Sequence, residues 1–254
     1  GINDRIGSRN APALFNLAWQ PTFMWDGAVN HLDMQALAPI SSATEMGEDI
    51  LNVVDKLQND PFYRKKFYAA YDDSIVTGEK VLKVLSQFQL TLVSANSLYD
   101  RVKSGEGEFN DQELKGYKLF QENCNTCHQE PLFSTYELAQ NFIAIDSNLN
   151  DYGRGLISKS SDDSLLFKIP SLRNLEYSFP YMHDGRYFEL NTVLNHYTSK
   201  ETKLKFKKEG LKKINLSGDD KVDLIAFLLT LNDKEFVFNE KHRFPRELLI
   251  KWKE

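Results

Sequence analysis

Residues 112–128 read QELKGYKLFQENCNTCH, a helical run that leads straight into two thiols and an imidazole. Cys124 and Cys127 are the only cysteines in the 254 residues, and His128 follows them directly. CxxCH is the attachment signature of c-type haem: each thiol adds across a vinyl group, and the adjacent imidazole reaches the iron as proximal ligand. A thioredoxin-like CxxC needs a βαβ setting, which the flanking helix does not provide. A zinc site needs a fourth ligand, and His183, His196 and His242 are scattered along the chain. Haem c is therefore the reading carried forward. Attachment of that kind takes place outside the cytoplasm, which points to the bacterial periplasm or the cell surface.

The second axial position has three claimants. Met182, in FPYMHDG, is a late methionine of the sort small c-type cytochromes use, and His183 and Tyr197 are its rivals. Spacing does not choose among them, since Met182 also reads as a buried gap-filler and His196 or Tyr197 as helix residues packed on a core. Arg173, in PSLRN, offers a guanidinium fork that matches a haem propionate, with a plain surface arginine as the alternative. Arg154, in DYGRG, is a weaker candidate for the same role.

The rest of the chain is consistent with a mostly α protein. Hydrophobic residues make up 41% and charged ones 26%, a globular balance. The net charge of −5, without a long basic run, excludes a phosphate-tracking surface and hence nucleic acid. The apolar run in KVDLIAFLLTL falls short of the ~20 residues of a membrane span, so no transmembrane segment is expected. GINDRIGSRNAP has neither a charged n-region nor an apolar h-region, so a secretory signal is absent or was removed ahead of it. Helical periodicity predicts helices over 45–58, 77–96, 112–122 and 219–231, the last with Ser217 as N-cap and Asp220 three residues on. No alternating strand is predicted. SGEGEFND at 104–111 reads as a linker, and the polar stretch 139–165 as a long loop that covers something.

A weak internal repeat outweighs any single helix. PALFN at 12–16 resembles PSLRN at 170–174, and MWDGAVNHL at 24–32 resembles MHDGRYFEL at 182–190, both with an offset of 158 residues. A constant offset across separated blocks is what domain duplication leaves behind. Applied to His128, it puts a matching CxxCH about 30 residues before Gly1. Applied to Tyr197, it lands on Pro39, which has no side-chain donor for iron.

With those motifs in order, WDGAVNHLDMQALAPI, GYKLFQENCNTCHQEPLF, FKIPSLRN and SFPYMHDGRYFELNTVLNHY, the chain resembles the bacterial dihaem cytochrome c peroxidases and the MauG-type enzymes over roughly residues 6–232. The resemblance implies an all-α fold of two cytochrome c-like domains: a truncated N-terminal one over 1–105 and a C-terminal one over 106–254 with the CxxCH site and a tail. It implies one haem c on CNTCH, a second on a segment ahead of Gly1, and calcium between the domains at Asn10, Ser178 and Pro180. Trp25 would be an electron relay. Gln35 and Glu45 would line the peroxide pocket, Glu45 moving the proton that O–O cleavage requires. The simpler readings are a core aromatic for Trp25, a surface amide for Gln35 and a Ser42–Glu45 capping box. The MauG branch has tyrosine as distal ligand where the peroxidases have methionine, which ranks Tyr197 ahead of Met182 and leaves an open first haem beside Pro39.

The function so implied is a periplasmic cytochrome c peroxidase that reduces hydrogen peroxide with electrons from a small donor protein, a cytochrome c or cupredoxin. The resemblance also leaves room for a homodimer. Without the first haem, the chain alone is expected to be inactive. The alternatives are a MauG-like oxidase that modifies a partner protein and a single-haem electron carrier.

Overall fold

The computed structural model describes residues 1–199, 205–206 and 213–246. Two short helices, α1 (Leu32–Gln35) and α2 (Leu37–Ser41), open the first half. Then come α3 (Ile50–Asn59), α4 (Pro61–Tyr71) and α5 (Gly78–Leu90). Local chemistry sets their starts. Asp49, Asp60 and Thr77 accept backbone N–H groups at the three N-termini, and Pro61 sits where a missing N–H costs nothing. Phe67, Val76 and Val81 form one buried cluster against α3, and Ala36, Ile40 and Leu82 another.

The second half begins with α6 (Leu98–Ser104) and α7 (Asp111–Asn123), continues through α8 (Arg154–Ser158) and α9 (Leu190–Thr198), and ends with α10 (Gly218–Leu229) and α11 (Lys234–Val237). Reciprocal capping boxes start α6 (Ser97 and Asp100), α7 (Asn110 and Glu113) and α10 (Ser217 and Asp220), the last as expected. α7 crosses α10 over a core of Tyr99, Phe120, Phe133, Leu224, Phe227 and Leu231.

Several expectations need correction. The helix predicted over 45–58 starts only at Ile50, because residues 42–47 close a turn in which Glu45 and Gly47 N–H both donate to the Ser42 carbonyl. The Ser42–Glu45 capping box does not form. The helix predicted over 77–96 ends at Leu90, and α4 was not anticipated. Three strands, β1 (Leu138–Gln140), β2 (Phe167–Lys168) and β3 (Lys205–Phe206), pair antiparallel in the order β2-β1-β3, with Leu138 opposite Lys168. At two or three residues each they are too short for alternation to register. Within the stretch 104–111, Gly105, with φ of 82°, stops α6 and Asn110 starts α7, and Tyr99 of α6 packs in the cluster that holds Phe120 and Phe227. Residues 247–254 of the expected tail lie outside the described residues.

The repeat is present in three dimensions. Asn16 and Asn174 both adopt left-handed backbone, φ 55° and 58°, ahead of single 3-10 turns at Leu17–Trp19 and Leu175–Tyr177. Met24 and Met182 (66° and 72°) and Gly27 and Gly185 (64° and 72°) follow at the same offset, and so do the bridges Phe23–Val29 and Tyr181–Tyr187. The two copies interlock through a reciprocal exchange. Asn10 N–H donates to the His183 carbonyl at 2.7 Å, and Lys168 N–H to the Trp25 carbonyl at 2.6 Å, each bond being the other's repeat mate. Beyond α1 and α9 the offset changes, since Asn16 N–H meets Leu92 O where Asn174 N–H meets Leu231 O, so α5 is the counterpart of α10.

Candidate functional site

Cys124 caps the C-terminus of α7, and the chain then coils so that Cys127 and His128 N–H groups both donate back to the Cys124 carbonyl. This turn aims all three side chains at one cavity of about 250 Å³. Neither thiol is in a disulfide. His128 Nδ1 lies 3.1 Å from the Pro170 carbonyl and 3.2 Å from the Phe133 carbonyl. Two carbonyls can only accept, so Nδ1 carries the proton and Nε2 keeps its lone pair for a metal. Burial pushes the imidazole down to about 4, which keeps it in the neutral, ligating form.

Tyr197 of α9, Met182 and Asn141 line the same cavity. The Asn141 amide reaches the Met182 sulfur at 3.6 Å and works against burial on the Tyr197 phenol. Burial raises the phenol to about 12. His196 Nε2 is engaged with the Asn141 carbonyl at 2.9 Å, and the His183 ring stacks on Phe167 at 3.8 Å. Leu172, Val193, Leu194, Leu224 and Leu228 complete an apolar lining. A flat hydrophobic macrocycle suits such an apolar cavity, whose lining includes two thiols, an imidazole, a phenol and a thioether. Among the described residues no group of three or more His, Cys, Asp or Glu side chains is arranged to hold one metal ion between them.

Trp25 borders the same cavity, its Nε1–H donating to the Asn10 carbonyl at 2.8 Å. Asn10, Ser178 and Pro180 line it too, with Asn10 Nδ2 on the Pro180 carbonyl at 2.5 Å. Arg9, beside Asn10, is paired at 2.6 Å both with Asp26 of the first copy and with Asp151 of the 139–165 stretch. The loop expected to cover something thus begins at the cavity wall.

Arg173 is a correction. Its guanidinium is 3% exposed, four of its five N–H groups go to Asp100, at 2.7 and 2.8 Å, and to the Pro131 carbonyl, and the residue is not among those that line the cavity. Burial pushes the Asp100 carboxyl up, but Arg173 and Ser97 outweigh it and hold that carboxyl below the usual range. Arg154 Nη1 donates to the Gly27 carbonyl at 2.9 Å, and the residue is not among those that line the cavity. Gln35 and Glu45 are not brought together. Gln35 is buried and accepts from Gln89 Nε2 at 2.8 Å, whereas Glu45 is exposed on its turn. Sequence reasoning missed Lys168, Tyr136 and Asn141, all of which line the cavity. The only signal was the place of Lys168 inside FKIPSLRN.

Comparison with known proteins agrees with this geometry. The sequence model of the family described as "Di-haem cytochrome c peroxidase" matches residues 1–108. The chain is 34% identical over 232 residues to methylamine utilization protein MauG of Methylophilus methylotrophus, spanning 89% of this chain and 68% of that one. It is 30% identical over 229 residues to cytochrome c551 peroxidase of Nitrosomonas europaea, spanning 89% and 66%. The chain thus spans about two-thirds of the length of these relatives. Among solved structures, a MauG-like protein associated with microbial copper homeostasis superposes with a TM-score of 0.80 at 26% identity, over 94% of this chain and 80% of that one.

Proposed function

Because this chain belongs to the family of di-haem cytochrome c peroxidases and MauG proteins, we propose that it is the electron-receiving and relay portion of a periplasmic enzyme that reduces hydrogen peroxide to water. One observation carries the reading: Cys124, Cys127, His128 and Tyr197 line a single apolar cavity. Haem c bound there supplies one-electron redox chemistry. His128 would hold the iron through Nε2, its ring fixed by the Pro170 carbonyl. Tyr197 would be the second ligand, with Met182 as the alternative and Asn141 beside both. Trp25, pinned by Asn10, carries electrons onward between the two copies of the repeat.

The peroxide site belongs to the first copy. Gln35 is the repeat mate of the cavity-lining Val193, and Gln89, through the α5–α10 correspondence, that of Leu228. Two apolar wall residues of the second pocket are therefore a hydrogen-bonded amide pair in the first. We place peroxide there, with the Gln35–Gln89 amide pair positioning it; Glu45, exposed on its turn, stands outside that pair. The helix that covers α10 is α7; on α5 the corresponding surface presents Phe88 at 50% exposure and Val84 at 36%. A helix bearing a second CxxCH, from outside this sequence, fits that face. Calcium suits the oxygen set of Asn10, Ser178 and Pro180 between the copies.

Tyr197 favours a second reading, in which a MauG-like enzyme stores oxidising equivalents and spends them on a partner protein. One experiment on the full-length protein matured in its host separates these. A haem-stained denaturing gel with a mass spectrum counts covalent haems, and stopped-flow mixing with peroxide follows oxidation of a reduced cytochrome or cupredoxin. Two haems with donor turnover support the peroxidase, and two haems with long-lived oxidised signals and no donor turnover support the oxidase. No thioether-linked haem on Cys124 and Cys127 overturns both.

A further inference from the structure

Lys168 is a charged side chain in an unusual place. It is 8% exposed, it lines the haem cavity, and among the described residues no carboxylate partners it. Its Nζ donates to the Gln20 amide oxygen at 2.7 Å and lies 5.8 Å from the centre of the Tyr136 ring. A buried ammonium with one neutral acceptor is costly, and such groups persist where a counter-charge completes the site. Tyr136 supplies a second observation. Its hydroxyl is fully buried with no hydrogen-bond partner, and the residue borders the same cavity. Two donor-bearing side chains therefore line the cavity, one with a single neutral acceptor and one with none. The backbone holds them there: Lys168 N–H is bonded to the Trp25 carbonyl and Tyr136 N–H to Ser134 Oγ.

We infer that Lys168 and Tyr136 form a carboxylate-binding pair that holds a propionate of the haem on Cys124 and Cys127, on the side of the cavity where Trp25 lies. The inference rests on the haem reading above and adds the group that orients the macrocycle. A propionate would accept from the ammonium and the phenol together, a charge-assisted arrangement with Gln20 steadying the lysine. Burial lowers the Lys168 ammonium to about 8 and raises the Tyr136 phenol to about 12, so an arriving carboxylate meets one group in need of a counter-charge and one that stays a donor. The same cation would hold the reduced haem more strongly than the bare slot does.

The test uses the haem-loaded full-length protein and the variants Lys168→Met, Lys168→Arg and Tyr136→Phe. Resonance Raman spectra report the propionate bending band, and potentiometry reports the midpoint of the His128 haem. The wild-type band should shift on transfer to D2O. Lys168→Met should move the band and shift the midpoint to more negative potential, Tyr136→Phe should move the band with a smaller change in midpoint, and Lys168→Arg should keep both near wild type. Should Lys168→Met fail to mature, the D2O shift and Tyr136→Phe still decide. Covalent haem with a band insensitive to D2O and to every available substitution would overturn this inference and leave the haem reading standing, whereas absence of covalent haem defeats that reading first.

Discussion

Replacing Gly116 with alanine tests the geometry that positions the whole site. Gly116 lies where α7 crosses α10, and a Cβ there would stand 1.9 Å from the Asp223 carbonyl oxygen and 2.8 Å from the Phe227 Cβ. Ordinary contact begins near 3.4 Å, so the two helices must part by about 1.5 Å. The obstacle is backbone, which cannot swing aside as a flexible side chain would. Parting the helices loosens Phe120, Leu224 and Phe227, each 0% exposed, so the upper end of the overpacking range, ~3 kcal/mol, applies. Alanine returns ~1 kcal/mol of helix propensity. The net loss is ~2 kcal/mol, a fall in Tm of about 4–8 °C for a chain of this size. Thermal unfolding of the haem-loaded protein by circular dichroism measures it, with Lys115→Ala on the exposed face of α7 as a control expected to stay within ~0.5 kcal/mol. Cys124 caps the same helix, so the yield of covalent haem should fall as well. A Gly116→Ala protein melting at or above the wild-type temperature would refute the close crossing.

Asp100→Asn strips the counter-charge from the buried Arg173 guanidinium and should cost ~3 kcal/mol in urea unfolding at neutral pH. Because the folded Asp100 carboxyl is held below its unfolded value, its contribution is complete above the ordinary carboxylate range. As pH falls through that range toward the lowered value, the wild type should lose stability that Asp100→Asn has already lost; parallel curves for the two would contradict the pairing. Tyr197→Met should raise the midpoint potential of the His128 haem, since thioether favours the reduced iron more than phenolate does, and an unchanged potential would mean that Tyr197 is not the ligand. Gln89→Leu frees the Gln35 amide from its partner and should slow the second-order reaction of the full-length enzyme with peroxide by about tenfold, read by stopped flow. A rate equal to wild type would remove that amide pair from the peroxide site.

The parts of the fold and site that were legible in the sequence are those written in local chemistry. CNTCH, the Ser217 cap and the motifs repeated at an offset of 158 residues are short contiguous patterns; the cap forms, the repeated motifs share their turns, and CNTCH lines the cavity. The errors came from groups whose partners lie far along the chain. Arg173 reads as an ideal fork for a propionate until Asp100, 73 residues away, claims it. Lys168 looks like any exposed lysine until β2 buries it against Trp25 and Gln20, from the other copy of the repeat. The helix ends at Ile50 and Leu90 were misread because turn hydrogen bonds at Ser42 and Phe88 outcompete an apolar periodicity that continues past them.

The duplication also explains how one ancestral slot could serve two purposes. In the second copy, position 197 carries a phenol, and Val193 and Leu228 make the wall beside it dry and apolar. On the proposed reading such a slot would be ligated on both faces and would reorganise little when an electron arrives, which suits transfer. In the first copy, Pro39 stands at the position that matches Tyr197 and has no side-chain atom to donate, and Gln35 and Gln89 stand where the second copy has the valine and leucine. Gln89 Nε2 satisfies Gln35, yet the Gln89 carbonyl oxygen is buried without a partner. An unsatisfied acceptor in a native core costs ~1–3 kcal/mol, and it is tolerable where a ligand with an O–H group arrives to fill it. Hydrogen peroxide has two. On the proposed reading, the substitutions that removed the iron ligand and those that made the wall polar are one change: the first opens a coordination site, and the second gives what enters it something to bond.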